Sequence, residues 1–144
     1  EIALHLHRNV LRKVPLFESA SDTFLRELVL HLAPQVCIPG ETILHRGQIG
    51  QQIYFINKGT VEVLSSDEKT VIATLTDGAF FGEMALLSSQ PRANTVLAVD
   101  YCTLYTLERE RFDQVLADFP EFAAQVRRVA DLRRNEAQPD PRSQ

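Results

Sequence analysis

Apolar residues recur at helical spacing at both ends of the chain, while the middle is built of short β-branched and aromatic runs. Residues 1–14, EIALHLHRNVLRKV, place Ile2, Leu6, Val10 and Val14 four apart with Leu4 and Leu11 beside them, predicting a helix that Pro15 stops. A second helix is predicted over Asp22–Leu32, N-capped by Ser19 or Ser21, with Phe24, Leu25, Leu28 and Leu32 on one face and Pro34 ending it. From Gln35 to Leu107 the runs VCI, TIL, IYFIN, TVEVL, VIATL, TVLAV and CTLYTL are separated by the turns PGE, RGQIG, NKG and TDG. Many short strands at fairly regular spacing predict an antiparallel roll or barrel, with Gly47, Gly50, Gly59 and Gly78 as its positive-φ corners. After Thr106, taken as N-cap, helical spacing returns at Phe112, Val115, Leu116 and Phe119 and is interrupted by Pro120. A last helix over 120–135 aligns Phe122, Val126, Val129, Ala130 and Arg133, an apolar stripe ending in arginine that suits a lid. The tail AQPDPRSQ has nothing to bury and is expected to be disordered.

Composition narrows the class. The 144 residues, 44% hydrophobic, fit one domain with a sizeable core. A net charge of −4 gives no overall positive field, which argues against nucleic acid as a partner. Cys37 and Cys102 stand far apart in sequence without CxxC or Cys/His spacing, which argues against zinc and a disulfide framework and fits a reducing compartment. No run reaches eighteen apolar residues, and no signal-peptide pattern opens the chain. Because it begins at Glu1, the sequence is expected to be a piece of a longer protein.

The stretch FFGEMALLSSQPRANTV, Phe80 to Val96, holds the chemistry. Gly82 would let the backbone approach a ligand closely, and Glu83 to Leu87 is long enough for one helical turn whose amides would face an anion. Arg92, after the SSQP turn, is a planar fork suited to a phosphate. Glu83, an acceptor when ionised, suits a sugar hydroxyl. A carboxylate for ribose and an arginine for phosphate describe a nucleotide-sized ligand. The competing reading is a surface Glu83–Arg92 ion pair beside a bulge, worth about 0–1 kcal/mol.

The order FGE, ALL, PR, small residue, TV resembles the phosphate-binding cassette of the cyclic nucleotide-binding domain family. The flanks share the likeness: PGETILHRGQIGQQIYFINKGTVEVL is similar to the family's first strands and corners, and the C-terminal helix pair to its hinge and lid. The resemblance implies an α+β fold, an antiparallel, jelly-roll-like β-roll with N-terminal helices and two C-terminal helices. It divides the chain into the end of a linker helix (1–14), the binding domain (15–135) and a tail (136–144). It further implies that Glu83 takes the ribose 2′-hydroxyl and Arg92 the cyclic phosphate, with amides from Gly82 through Met84 to Ala85 holding the ligand and Thr95 at the cassette's end. Val63, Leu75 and Phe81 would line the base and sugar side. Ala93 stands where family members responsive to cGMP often carry a hydroxyl, which favours cAMP. Asn94 departs from the small apolar residue usual there, and its role stays open.

The flanks choose among outputs. No helix-turn-helix follows the lid and no second binding domain stands in tandem, whereas HLHRNVLRKVPLFESASDTFLRELVLHLAPQV resembles the end of the C-linker and the first helix of cyclic-nucleotide-gated channels. The expectation is therefore the cytoplasmic domain of a prokaryotic, inner-membrane cation channel of the potassium-channel type. In such a channel Val129, Leu132 and Arg133 close over the base and act on a pore in the same chain, tetrameric in the whole protein and monomeric or weakly oligomeric in this piece. A cAMP-sensing domain of a transcription regulator or kinase regulatory subunit is the alternative. No cofactor beyond the nucleotide and no covalent chemistry are expected. His5 and His7 fall on different helix faces and His45 alone lies in the roll, a poor metal set. Ser88 and Ser89 make the cassette turn, and Arg127, Arg128 and Arg134 spread around the last helix as a solvated face.

Overall fold

The strand IYFIN sets the architecture, because all its central side chains are apolar and it must be covered on both faces. In the structure, a computed structural model describing residues 21–82 and 91–137, with side chains through 133, this strand is β3 (Gln52–Lys58). Ile53 and Phe55 point to one side, Tyr54 and Ile56 to the other, each buried. The other described elements are α1 (Asp22–Val29), β1 (Ala33–Cys37), β2 (Thr42–Leu44), β4 (Val61–Leu64), β5 (Val71–Leu75) and β6 (Phe80–Phe81). They continue with β7 (Val96–Ala98), β8 (Cys102–Glu108), α2 (Arg109–Asp118) and α3 (Pro120–Ala137).

Two four-stranded antiparallel sheets result, ordered β1-β8-β3-β6 and β2-β7-β4-β5. The first sheet is the shared wall. On one face Ile53, Phe55, Phe80, Tyr105 and Leu107 meet Phe24, Leu25 and Leu28 of α1, Phe112 and Val115 of α2, and Phe122 and Val126 of α3. On the other, Tyr54, Ile56, Phe81, Cys102 and Leu104 meet Leu44, Val61, Val96 and Ala98 of the second sheet. This is the expected roll with helices before and after it, and each of the seven predicted runs contributes a strand.

Several local expectations change. Ser21 is the N-cap of α1, its hydroxyl accepting from the Phe24 N–H at 3.1 Å, and the helix closes at Val29 rather than Leu32. Pro34 is not the terminator: it lies inside β1, at the edge of the first sheet, where a missing N–H is tolerated. Thr106 is not an N-cap. It belongs to β8, opposite Ala33 on one side and Tyr54 on the other, and its hydroxyl donates to the Ala33 carbonyl at 3.3 Å. The ladder continues to Gln52–Glu108, so the chain stays extended until Glu108 occupies the cap without a side-chain bond. Gly50 has no positive φ, whereas Gly40 and Gly82 do, besides Gly47, Gly59 and Gly78. The last helix reaches Ala137, two residues beyond its predicted end. The predicted helix over 1–14, its stop at Pro15, and the tail after 137 lie outside the described residues.

The two cysteines, remote in sequence, are partners across β1 and β8. Both are free and buried, and burial pushes each thiol above its ordinary pKa. Their corner requires Gly59. At φ 120° it approaches so closely that a Cβ there would lie 2.7 Å from Cys102 Sγ and 2.9 Å from the Tyr101 carbonyl. Gly59→Ala is therefore expected to lower unfolding stability by about 3 kcal/mol, from backbone strain plus overpacking. A urea titration checks this as a fall in midpoint at unchanged slope.

Candidate functional site

Arg92 is the organising side chain. Only 7% exposed, it is a buried group rather than the surface side chain that the competing reading placed beside a bulge; Glu83, its partner in that reading, lies outside the described residues. Backbone bonds fix its main chain to the β2–β3 loop: the Arg92 N–H donates to the Gln48 carbonyl at 2.7 Å, and the Gly47 N–H donates to the Arg92 carbonyl at 2.8 Å. Its guanidinium is aimed by two more carbonyls. Nη1 donates to Gly82 O and Nη2 to Gln52 O, each at 2.8 Å. These two carbonyls fix the direction of the planar fork.

Gly82 is needed here for a reason the sequence did not show. At φ 91°, a Cβ on it would sit 2.8 Å from Arg92 Nη1 and 3.2 Å from the Gln52 carbonyl, so the close approach it permits includes that of the arginine itself. Beneath the pair, Tyr54 and Phe81 stack in parallel, 5.0 Å between centroids and 2° between planes, and Arg92 Cζ lies 6.0 Å from the Tyr54 centroid. Burial raises the Tyr54 pKa against the lowering pull of Arg92, so its phenol stays protonated at neutral pH.

The remaining predicted residues fall into distinct places. Val63 and Leu75 are half-buried and pack against the inter-sheet core, on whose side Phe81 is almost fully buried. Ala93 is exposed. Asn94, unexplained by sequence, donates from Nδ2 to the Leu64 carbonyl at 2.8 Å and ties the cassette exit to β4. Thr95 is buried; its hydroxyl accepts from the Arg46 N–H at 3.1 Å and donates to the Glu68 carboxylate. Glu83, Met84 and Ala85 lie outside the described residues. On α3, Val129 packs partly buried against the helical core, Leu132 is 58% exposed, and Arg133 places Cζ 4.9 Å from the Phe80 centroid. No cluster of three or more His, Cys, Asp or Glu able to hold a metal occurs among the described residues.

Sequence reasoning missed Phe80, Tyr54 and the carbonyls of Gln48 and Gln52. Alternation at the FF pair held the signal for Phe80, since neighbouring strand residues face opposite ways and only one could line the roll. Backbone acceptors leave no such mark. The junction between α2 and α3 is also informative: Phe119 meets Phe24 of α1 edge-on at 4.6 Å, and Phe122 meets the same ring at 5.1 Å.

The class is that of a two-sheet antiparallel roll, helix-covered on one side, with a buried arginine fork at a glycine turn. The chain belongs to the cyclic nucleotide-binding domain family, whose sequence model matches residues 35–119. It is 35% identical over 127 residues to human (Homo sapiens) cyclic nucleotide-gated channel alpha-3, covering 84% of this chain and 18% of that one. It is 35% identical to the cyclic nucleotide-gated cation channel of Ictalurus punctatus, covering 84% and 19%. The chain thus spans about a fifth of the length of these relatives. Among solved structures, Sp-2Cl-cAMPS bound to PKAR CBD2 superposes with a TM-score of 0.82 at 25% identity, covering 92% of this chain and 88% of that one. A cAMP-bound PfPKA-R gives 0.83 at 27% identity, covering 97% and 49%.

Gly82→Ala forces a methyl group onto the Arg92 guanidinium at a backbone angle that alanine resists. It is expected to cost about 1–3 kcal/mol of stability and to shift the Arg92 side-chain resonances. Chemical denaturation and arginine-detected NMR check both.

Proposed function

We propose that this chain binds cAMP in preference to cGMP and serves as the cytoplasmic ligand-sensing part of a gated cation channel of the potassium-channel type. The observation that carries the binding half is Arg92, a buried guanidinium aimed by the Gly82 and Gln52 carbonyls at the glycine turn. In this reading the cyclic phosphate docks on Arg92 and on the amides following Gly82, while Glu83 accepts from the ribose 2′-hydroxyl. Val63, Leu75 and Phe81 supply apolar surface, and Met84, Ala85 and Thr95 complete the cassette. The exposed methyl of Ala93 offers no hydroxyl to a guanine amino group, which supports the preference for cAMP.

Transmission would run through α3. Closure over the base by Val129, Leu132 and Arg133 gives the bound state contacts that the open state lacks, and so shifts a two-state equilibrium. The packing of Phe119 and Phe122 on Phe24 gives such a movement a direct route to α1. The names of the channel relatives support a pore elsewhere in the same chain; in this reading the whole protein is a tetramer and its pore lies in the inner or plasma membrane. No helix among the described residues is long and apolar enough to cross a membrane. No covalent step and no cofactor enter this scheme. The likeness to kinase regulatory structures favours a second reading, a cAMP-sensing regulatory domain with another output, in which the same site serves.

Calorimetric titration of both nucleotides tests the proposal. Arg92→Ala is expected to weaken cAMP binding about 100-fold while the domain stays folded, from the loss of charge-assisted bonds worth about 3 kcal/mol. Ala93→Thr is expected to narrow the gap between cAMP and cGMP. Unchanged cAMP affinity in the arginine variant would sink the assignment.

A further inference from the structure

The β4–β5 hairpin carries an oddity. Glu68 is the only non-glycine residue with a positive φ, 63°, among the described residues, a conformation that disfavours a long side chain and normally calls for Gly, Asn or Asp. The turn is otherwise held by its own bonds. The Ser65 N–H donates to Thr70 O at 2.7 Å and the Glu68 N–H to Ser65 O at 2.8 Å, while the Lys69 N–H and the Ser65 hydroxyl both donate to Asp67 Oδ1. Nothing in that network uses the Glu68 carboxylate. It reaches instead across the sheet to the hydroxyl of buried Thr95.

That hydroxyl fills a gap in a ladder. Between the last β2–β7 pair, Leu44 with Val96, and the isolated bridge of Ile49 to Pro91, the two backbones exchange bonds at Arg92 with Gly47 and Gln48. The intervening Arg46 N–H is taken by a side chain, Thr95 Oγ1. A hydroxyl can accept there only if its proton is turned elsewhere, and a hydroxyl that donates to a carboxylate is the better acceptor for it. Glu68 supplies that carboxylate. Two further bonds, Leu64 N–H to Thr95 O at 2.9 Å and Asn94 Nδ2 to Leu64 O at 2.8 Å, tie the hairpin's base to the same segment.

We infer that Glu68 is a positioning residue for nucleotide binding: through Thr95 it locks the β2–β3 loop that holds the Arg92 backbone. The inference rests on the binding reading proposed above. It differs from mere stapling of a hairpin, because stapling predicts that stability and affinity fall together.

Glu68→Gly separates the two. Glycine relieves the left-handed backbone, so stability is expected to hold or rise, yet loss of the carboxylate is expected to weaken cAMP binding about tenfold. Glu68→Gln, which keeps an acceptor, is expected to recover affinity to within about threefold of wild type. Amide hydrogen exchange supplies a readout that needs no ligand: the Arg46, Gly47 and Arg92 amides are expected to exchange about tenfold faster in Glu68→Gly than in wild type or Glu68→Gln. Unchanged affinity with unchanged exchange in Glu68→Gly overturns the inference, as does an affinity loss that Glu68→Gln fails to recover. If the wild type binds neither cyclic nucleotide, the proposed function falls, and the exchange comparison alone decides the role of Glu68.

Discussion

Everything in this domain is built against β3, a strand with no face that can be left in water. Its odd side chains, Ile53 and Phe55, demand the helices, and its even ones, Tyr54 and Ile56, demand the second sheet. Its backbone does a third job. The Gln52 carbonyl at the start of the strand takes one nitrogen of Arg92, so the wall that separates the two cores also aims the charged group of the site. A buried cation is costly unless its donors are satisfied, and a rigid, doubly packed strand is a secure place from which to satisfy one.

The neighbouring strand β6 shows how little chain is needed to connect α3 with the Arg92 fork. It has two residues, and alternation sends Phe81 into the roll beneath Tyr54 and Phe80 out to the helices, where Arg133 lies over its ring. Gly82 follows at once with its carbonyl on Arg92. The last helix, α3, and the arginine fork are therefore linked through three consecutive residues. A rearrangement of either has a short, stiff path to the other.

Much of this was legible in the sequence because periodicity records which face an element buries. The apolar stripe of α3 and the short runs of the roll could be read directly, and Gly82 and Arg92, singled out for their chemistry, meet in the structure. What failed did so for identifiable reasons. Thr106 sits where an N-cap would, but pairing with Ala33 and Tyr54 on both sides outweighs local capping. Gly50 and Gly82 look alike as letters, and what separates them is the fold: Gly82 has a φ of 91° and stands against Arg92, whereas Gly50 has no positive φ. Asn94 became intelligible through the carbonyl of Leu64, thirty residues away. Glu68 was invisible for a similar reason: a charged residue in a polar turn ordinarily reads as solvated surface.

The strand order also imposes an order in time. β8 stands between β1 and β3, so the first sheet cannot be completed until residues 102–108 insert between strands made some fifty or more residues earlier. Such non-local pairing is slow because loop entropy is lost before the contacts form. A chain emerging from its N-terminus therefore carries residues 80–96 while β3, whose Gln52 carbonyl aims Arg92, still lacks β8, one of its two neighbours. The strand whose carbonyl aims Arg92 therefore gains its full set of neighbours only when residues 102–108 are in place.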